Sequence, residues 1–180
     1  MFAIIFACAA LLAPPSDLPH RASPTFLQKS SARVILLAPF EGNPANGSAT
    51  ASMRSGFERV ADYMAAHHIG RRAGSFPTAS NLRFDEEEGI LRGEVGFEVE
   101  SLSAPLPADG IRIERTPTGR LIRFATHAPF GALNPDYEDF IGWMVDHKIH
   151  PRSHAWEVYI RQDDGLQAKD RLTYVYYVVK

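Results

Sequence analysis

The spacing of apolar residues along the chain changes between a period of two and a period near 3.6, which predicts strands mixed with helices. The run RVILLAPF, which begins at Arg33, predicts a buried strand, and a loop rich in glycine, asparagine and proline follows it. A helix is predicted next, because apolar residues share one helical face and the pattern stops near Gly70. These residues are Met53, Phe57, Val60, Ala61 and Met64. An extended segment over residues 75–84, an acidic turn DEEEG and the strand ILRGEVGFEVE complete this part of the chain.

The second part of the chain shows the same kinds of pattern. The connector APLPADG leads to strand material at IRIER and RLIRFATH. Asn134 is a favourable helix N-cap, and Pro135 suits the first helical position. The helix predicted after them presents one apolar face, formed by Tyr137, Phe140, Ile141, Met144 and Val145. The segments WEVYI and RLTYVYYVVK predict the last two strands.

An internal repeat relates the two parts. At an offset of 80 residues Phe57 matches Tyr137 and Met64 matches Met144, and the tripeptide APF recurs at an offset of 90 because the first half has a loop ten residues longer. Neither half can easily bury its apolar face alone. We therefore expect an α+β fold built as a tandem pseudo-twofold repeat of strand-helix-strand-strand, with one antiparallel sheet and two main helices packed on it.

Composition narrows the range of functions. The chain has 180 residues, of which 45% are hydrophobic and 22% charged, and this is ordinary material for a globular domain. The net charge of -2, without a basic stripe, a helix-turn-helix or a zinc-finger spacing, argues against nucleic acid as a partner. The single cysteine, Cys8, excludes an intramolecular disulfide framework.

The amino terminus predicts a targeting segment. Met1–Ala13 is an uncharged apolar run, too short to span a membrane as a helix, and it is typical of the core of a secretory signal. A lipoprotein anchored at Cys8 and a misassigned start codon are the alternatives. We expect an exported, periplasmic protein whose membrane association, if any, comes through this segment alone. The expected divisions are a signal peptide or membrane-targeting segment plus linker at 1–30 and a folded domain at 31–180, with halves of about 31–100 and 111–180.

Glu157 is the leading candidate for a functional residue. It lies in the strand WEVYI, where alternation places Trp156 and Ile160 on one face and Glu157 with Tyr159 on the other. An unpaired carboxylate is costly to bury, so Glu157 must stay solvated, find a partner or receive one from a ligand.

The internal repeat supports the same residue. At the offset of 80, Glu157 corresponds to Pro77, so the repeat loses polarity at this position. A residue needed only for packing should have an apolar or small counterpart in both halves, and we expect function where that rule fails. The alternative is a structural ion pair between Glu157 and an arginine such as Arg123 or Arg152.

The order of these motifs resembles that of the GyrI-like small-molecule-binding domain, which is also the effector-binding domain of bacterial transcription activators. The resemblance covers Arg33–Lys180 and rests on DYEDFIGWMVDHKI followed by WEVYI, on THAPFG, on EVGFEV and on YVYYVV. It implies a ligand pocket between the halves with Glu157 at the base of that pocket, and the N-terminal segment adds the expectation that the domain is stand-alone and exported. The segment GSFPTASNL departs from the family pattern, because it has no tyrosine where similar proteins often have one or two.

The sequence and the resemblance together predict binding of a small, partly apolar molecule that can be cationic. The expected ligand-binding residues are Glu157, Tyr159, Trp143, Trp156 and Tyr176. Trp143 lies at the edge of its helical stripe, so it either reaches a neighbouring cavity or covers the helix flank. We expect no cofactor and no metal. The candidate ligands His147, His150 and His154 lack a completing carboxylate or cysteine, and Pro151 breaks their helical spacing.

Three other functions remain open. The resemblance implies that a relative could hydrolyse strained electrophilic small molecules, with Glu157 as general base and Tyr159 as hydrogen-bond donor, and we favour binding over this catalysis. A gyrase-inhibitor-like protein-interaction module is disfavoured by export. Haem binding, which wider relatives of the fold suggest, lacks a convincing axial ligand.

Overall fold

The computed structural model describes residues 24–29, 31–101, 110–132, 136–162, 166–167 and 170–180. In these residues an antiparallel sheet of eight strands curls into a half-barrel, and two helices pack on it. This α+β architecture confirms the predicted fold class. The elements in chain order are β1 (Thr25–Lys29), β2 (Val34–Gly42), α1 (Ser48–Ala66), β3 (Thr78–Asp85), β4 (Ile90–Glu98), β5 (Arg112–Arg115), β6 (Gly119–Thr126), α2 (Asp136–Asp146), β7 (Trp156–Arg161) and β8 (Leu172–Val178).

The strand order is β1-β6-β8-β7-β3-β4-β2-β5, so β2, β4 and β3 mirror β6, β8 and β7 across the centre of the sheet. The halves meet where β3 pairs with β7 over three residue pairs, and Thr78 lies opposite Val158 in that pairing. These two residues are separated by the repeat offset of 80. Residues that correspond in the repeat are therefore neighbours at this central junction.

Helix α1 packs on β2 and β4 through a face that is largely the predicted one. Its residues Met53, Val60 and Met64 are buried, whereas Ala61 is exposed. Gly56 is also buried, and a Cβ there would lie 2.5 Å from the Val95 side chain. The close approach of helix and sheet therefore requires glycine at this position.

Helix α2 has a narrower buried face than the sequence predicts. Phe140 and Met144 are buried, but Ile141 and Val145 are 41% and 67% exposed. The prediction that both belong to the buried stripe is wrong, because α2 meets the sheet along one row of side chains and the adjacent row faces away. The predicted cap at Asn134 and Pro135 lies outside the described residues.

The sheet begins within the stretch assigned to the linker. β1 pairs with β6 from Thr25↔Arg123 to Lys29↔Gly119, so it forms an edge of the sheet. Residues 1–23, which include the apolar targeting run, lie outside the described residues, and their role stays a prediction. In the part of the chain that the structure describes, no helix is long and apolar enough to cross a membrane.

Candidate functional site

Glu157 lies at the central junction of the sheet, on the face that carries the helices. It pairs with Ala79 of β3, and the Tyr159 amide donates to the Pro77 carbonyl at 2.9 Å, which fixes the register of β7. Alternation then directs Glu157 and Tyr159 to the same face, where they are 7% and 4% exposed. The small counterparts Pro77 and Ala79 leave space beside them for two long side chains.

Two tyrosine hydroxyls bind the carboxylate. Tyr137, in the first turn of α2, donates to Glu157 Oε1 at 2.7 Å, and Tyr159 donates to Oε2 at 2.5 Å. Both oxygens of the buried acid are thus satisfied by donors from two different elements. The bonds explain how a carboxyl group is tolerated in this apolar position.

Aromatic rings surround these groups. Phe57 of α1 meets Tyr159 edge-on with ring centroids 6.3 Å apart, and Phe130, in the segment before α2, lies 5.9 Å from the same ring. The Thr50 hydroxyl donates to the Phe130 carbonyl at 3.2 Å, so α1 holds this segment over the site. Glu157 consequently has a polar partner from α2, and the ring of its other partner, Tyr159, packs against Phe57 and Phe130.

Burial controls the protonation of the three groups. Loss of hydration raises the pKa of Glu157, and the hydrogen bonds from Tyr159 and Tyr137 only partly oppose this rise. Burial, followed by the nearby charge of Glu157, raises the pKa values of Tyr137 and Tyr159 well above the ordinary phenol value. The tyrosines therefore remain protonated donors, while burial disfavours the charged form of Glu157.

The structure separates the predicted ligand-binding residues. Glu157 and Tyr159 are in contact, but Trp156 and Tyr176 pair across β7 and β8 on the opposite face of the sheet, with ring centroids 5.2 Å apart. The prediction that these residues line a single pocket is therefore wrong. The physical reason is the alternation along β7, which directs the Trp156 side chain to the face opposite that of Glu157.

Trp143 lies on a third surface, away from both Glu157 and Trp156. It packs edge-on against Phe124 at 6.0 Å and stacks on His147 at 3.9 Å. It thus covers the flank of α2, and it also lines a depression of about 400 Å³ of which Glu157 is not a lining residue.

The ion-pair alternative for Glu157 has no support in the described residues. Its described hydrogen-bond partners are tyrosines, and neither Arg123 nor Arg152 forms a described salt bridge with it. The Arg123 guanidinium instead lies 4.3 Å from the Tyr174 ring.

Sequence reasoning missed the part that Tyr137, Phe57 and Phe130 play in the site. The sequence did contain a signal for Tyr137. The repeat aligns Tyr137 with Phe57, so only one of the two halves has a polar group at this position, as is also the case for Glu157 and Pro77. The bond itself joins residues 20 positions apart on different elements, which periodicity does not predict.

The histidines form no metal centre within the described residues, where no group of three or more potential ligands occurs. His147 Nδ1 lies 2.8 Å from the Trp143 carbonyl oxygen in the preceding turn. Because a carbonyl only accepts, this ring nitrogen carries the hydrogen.

Neither protein-family models nor curated proteins match this chain. Among solved structures, the C-terminal domain of EcmrR shares 13% identity and a TM-score of 0.64, over 91% of this chain and 99% of that domain. A protein described as a hydrolase from Listeria innocua shares 10% identity and a TM-score of 0.56, over 87% and 91%. SAV2435, solved bound to tetraphenylphosphonium, shares 11% identity and a TM-score of 0.54, over 88% and 94%. At these identities the likeness shows a shared fold alone.

Proposed function

We propose that this domain binds a small, partly apolar, cationic molecule between α1 and α2, with Glu157 as the charged residue of the site. The observation that carries the proposal is a buried carboxyl group whose described partners are two neutral hydroxyls. Among the described residues, such an acid has donors that hold it in place but no positive charge paired with it.

A cationic ligand would supply that compensation. Its charge lowers the cost of ionising Glu157 in an apolar environment, and its apolar groups replace water against Phe57, Phe130 and Tyr159. Aromatic rings also attract a cation placed over their faces. The site therefore favours a lipophilic cation over a neutral molecule of the same shape.

The structural comparison supports the choice of probe. SAV2435, which shares this fold, was solved with tetraphenylphosphonium, a lipophilic cation. The bound cation was seen in SAV2435, and tetraphenylphosphonium is therefore a suitable probe for this chain.

The test compares tetraphenylphosphonium with the neutral triphenylphosphine oxide by isothermal titration calorimetry. Glu157→Gln keeps the shape of the side chain and removes its charge, so it should weaken binding of the cation by about 1 to 3 kcal/mol and affect the neutral compound less. Glu98→Gln is the matched control. Glu98 is 6% exposed and pairs with Arg33 at 2.9 Å, away from the proposed site, so this variant should bind both compounds as the parent does.

Equal losses for the two compounds in Glu157→Gln would refute a role for its charge. A large fall in melting temperature without a selective loss of cation binding would place Glu157 in a structural role instead.

A second candidate function is hydrolysis of strained electrophilic small molecules, which the Glu157 and tyrosine geometry favours. Glu157 would take a proton from water while the water oxygen bonds to the electrophilic carbon of an epoxide or cyclopropane. The ring bond breaks toward its leaving atom, which receives the proton from Glu157, while Tyr137 or Tyr159 turns its single hydroxyl hydrogen from Glu157 to that atom. The raised pKa of Glu157 suits a base that works closer to neutral pH than an ordinary carboxylate.

Incubation with epoxide- or cyclopropane-bearing compounds separates the two functions. More than one equivalent of ring-opened product, lost in Glu157→Gln, would establish hydrolysis. Saturable binding without product would support binding alone.

A further inference from the structure

A second concave site lies at the C-terminal end of α2. The depression has a volume of about 400 Å³, within the range of small-molecule sites. Its walls come from α2 and the turn after it, from the ends of β6 and β8, and from β1. The lining residues are Phe26, Arg120, Trp143, His147, Lys148, Ile149, His150, Val179 and Lys180.

The lining combines aromatic surface with positive charge. Trp143 stacks on His147 with an angle of 17° between the rings, and the Arg120 guanidinium lies 4.6 Å from the Phe26 ring. Phe26 is nevertheless 43% exposed. Three lining residues are arginine or lysine, two more are histidines, and none is aspartate or glutamate. A net charge of -2 for the whole chain makes this local concentration unusual.

The corresponding place at the end of α1 has the same backbone and a different charge. The amides of Ile69 and Ile149 donate to the carbonyls of Met64 and Met144, at 2.9 and 2.8 Å, and each helix is followed by a residue with positive φ. An aromatic ring also lies against a histidine in both halves, tilted by 40° for Tyr63 and His67 and stacked at 17° for Trp143 and His147. The lysines, however, are not repeated: at the offset of 80, Lys148 and Lys180 correspond to His68 and Glu100. Packing and capping therefore do not require positive charge at these positions.

The donors also suit a flat anionic group. Arg120 donates through one nitrogen to a main-chain oxygen of Lys180, the last residue of the sequence, at 3.3 Å, and a guanidinium has five N–H groups in one plane. Because Phe26 contacts its face, the edge of this plane is the part that can meet a carboxylate or sulfonate. Lys148, exposed after α2, supplies a second cation on a longer and more adaptable side chain.

We propose that this depression binds an organic anion with a flat apolar body. The body packs against Trp143 and Phe26, and the carboxylate, sulfonate or phosphate lies between Arg120 and Lys148. The site is distinct from that of Glu157, and it selects the opposite charge.

The test uses naphthalenesulfonate and neutral naphthalenemethanol on the full chain. Trp156→Phe leaves Trp143 as the remaining tryptophan, so its fluorescence reports on the depression. The sulfonate should change this fluorescence saturably. Arg120→Gln and Lys148→Gln should each raise its Kd about five- to tenfold. Arg152→Gln, which removes an exposed arginine outside the lining, and Glu157→Gln should leave the Kd within about twofold of the parent.

Equal binding of the neutral alcohol, or unchanged Kd values in both cation variants, would overturn the proposal and leave apolar adsorption only. Lys148 is exposed, so its variant tests the idea even if Arg120→Gln is too unstable to purify. Vesicles with and without phosphatidylglycerol identify the source of the anion. Cosedimentation that needs the anionic lipid, Arg120 and Lys148 assigns the site to a lipid headgroup, and binding of the soluble sulfonate without cosedimentation assigns it to a free organic anion.

Discussion

Replacing Tyr137 with phenylalanine removes one hydroxyl from the buried acid and little else. The ring stays in place against Phe140, whose centroid is 6.0 Å away, and the lost atom is the donor that lies 2.7 Å from Glu157 Oε1. The cost of the change therefore depends on whether Glu157 is ionised, because a hydrogen bond to a carboxylate is stronger than one to a neutral carboxyl.

The expected loss of unfolding free energy follows from this difference. With Glu157 ionised, the bond contributes about 1.5 to 3 kcal/mol, and with Glu157 protonated about 0.5 to 1.5 kcal/mol. Loss of the bond also raises the pKa of Glu157 further, since that bond lowers it in the wild type. The destabilisation should therefore grow by about 1 kcal/mol between mildly acidic and mildly alkaline solution.

Urea unfolding of the wild type and Tyr137→Phe at about pH 4 and about pH 8, followed by circular dichroism, measures both values. The same pair in a Glu157→Gln background completes a double-mutant cycle, in which the pH dependence should disappear. Tyr174→Phe, at a partly buried tyrosine on the other face of the sheet, is the control and should show no such dependence. An equal loss at both pH values would contradict our account of Glu157.

Two further predictions concern stability. Because the folded-state pKa of Glu157 is raised, the folded protein holds this proton more tightly than the unfolded chain does. The free energy of unfolding is therefore greatest below the unfolded-state pKa and falls as pH rises through the folded-state pKa. The fall is at most about 1.4 kcal/mol per pH unit between these two pKa values. Urea unfolding from about pH 4 to about pH 8 should show this fall in the wild type and a flatter profile in Glu157→Gln, and parallel profiles would contradict it. Gly96→Ala should lower the free energy of unfolding, measured by thermal unfolding, by roughly 3 kcal/mol or more, because a Cβ would lie 1.7 Å from the Leu36 carbonyl oxygen. Gly142→Ala, with open space around its Cβ on α2, should raise the free energy of unfolding by up to about 1 kcal/mol. Equal effects of the two substitutions would refute the steric argument.

Much of the fold was predictable because its elements have strong periodicity. Helical spacing from Met53 to Met64 predicts only a helix, and the alternation in EVGFEV predicts only a strand. Both elements are present in the structure. β1 was missed because TFLQK is short and follows a stretch typical of a targeting segment. β1 pairs with β6, which lies nearly a hundred residues later in the chain, and the local sequence pattern of β1 does not predict that partner.

The site was predictable only where one strand carries it. Alternation placed Glu157 and Tyr159 together, and the repeat drew attention to Glu157, but the contact with Tyr137 depends on how α2 docks on the sheet. Trp156 and Tyr176 were included for their aromatic character, although they lie on the other face of the sheet from Glu157. Residue type alone therefore does not predict the direction in which a side chain points.

The two outer edges of the sheet also constrain how a molecule can reach Glu157. β1 precedes the first half but pairs with β6 of the second, and β5 follows the first half but pairs with β2 within it. Lys29 then donates to the Thr116 hydroxyl at 2.6 Å, which joins the end of β1 to the turn after β5. A clamshell opening of the halves about the β3–β7 junction would strain this latch and both edge pairings. Entry to the buried acid should therefore proceed by local displacement of Phe130, and this displacement rather than a hinge motion of the halves would set the rate of association.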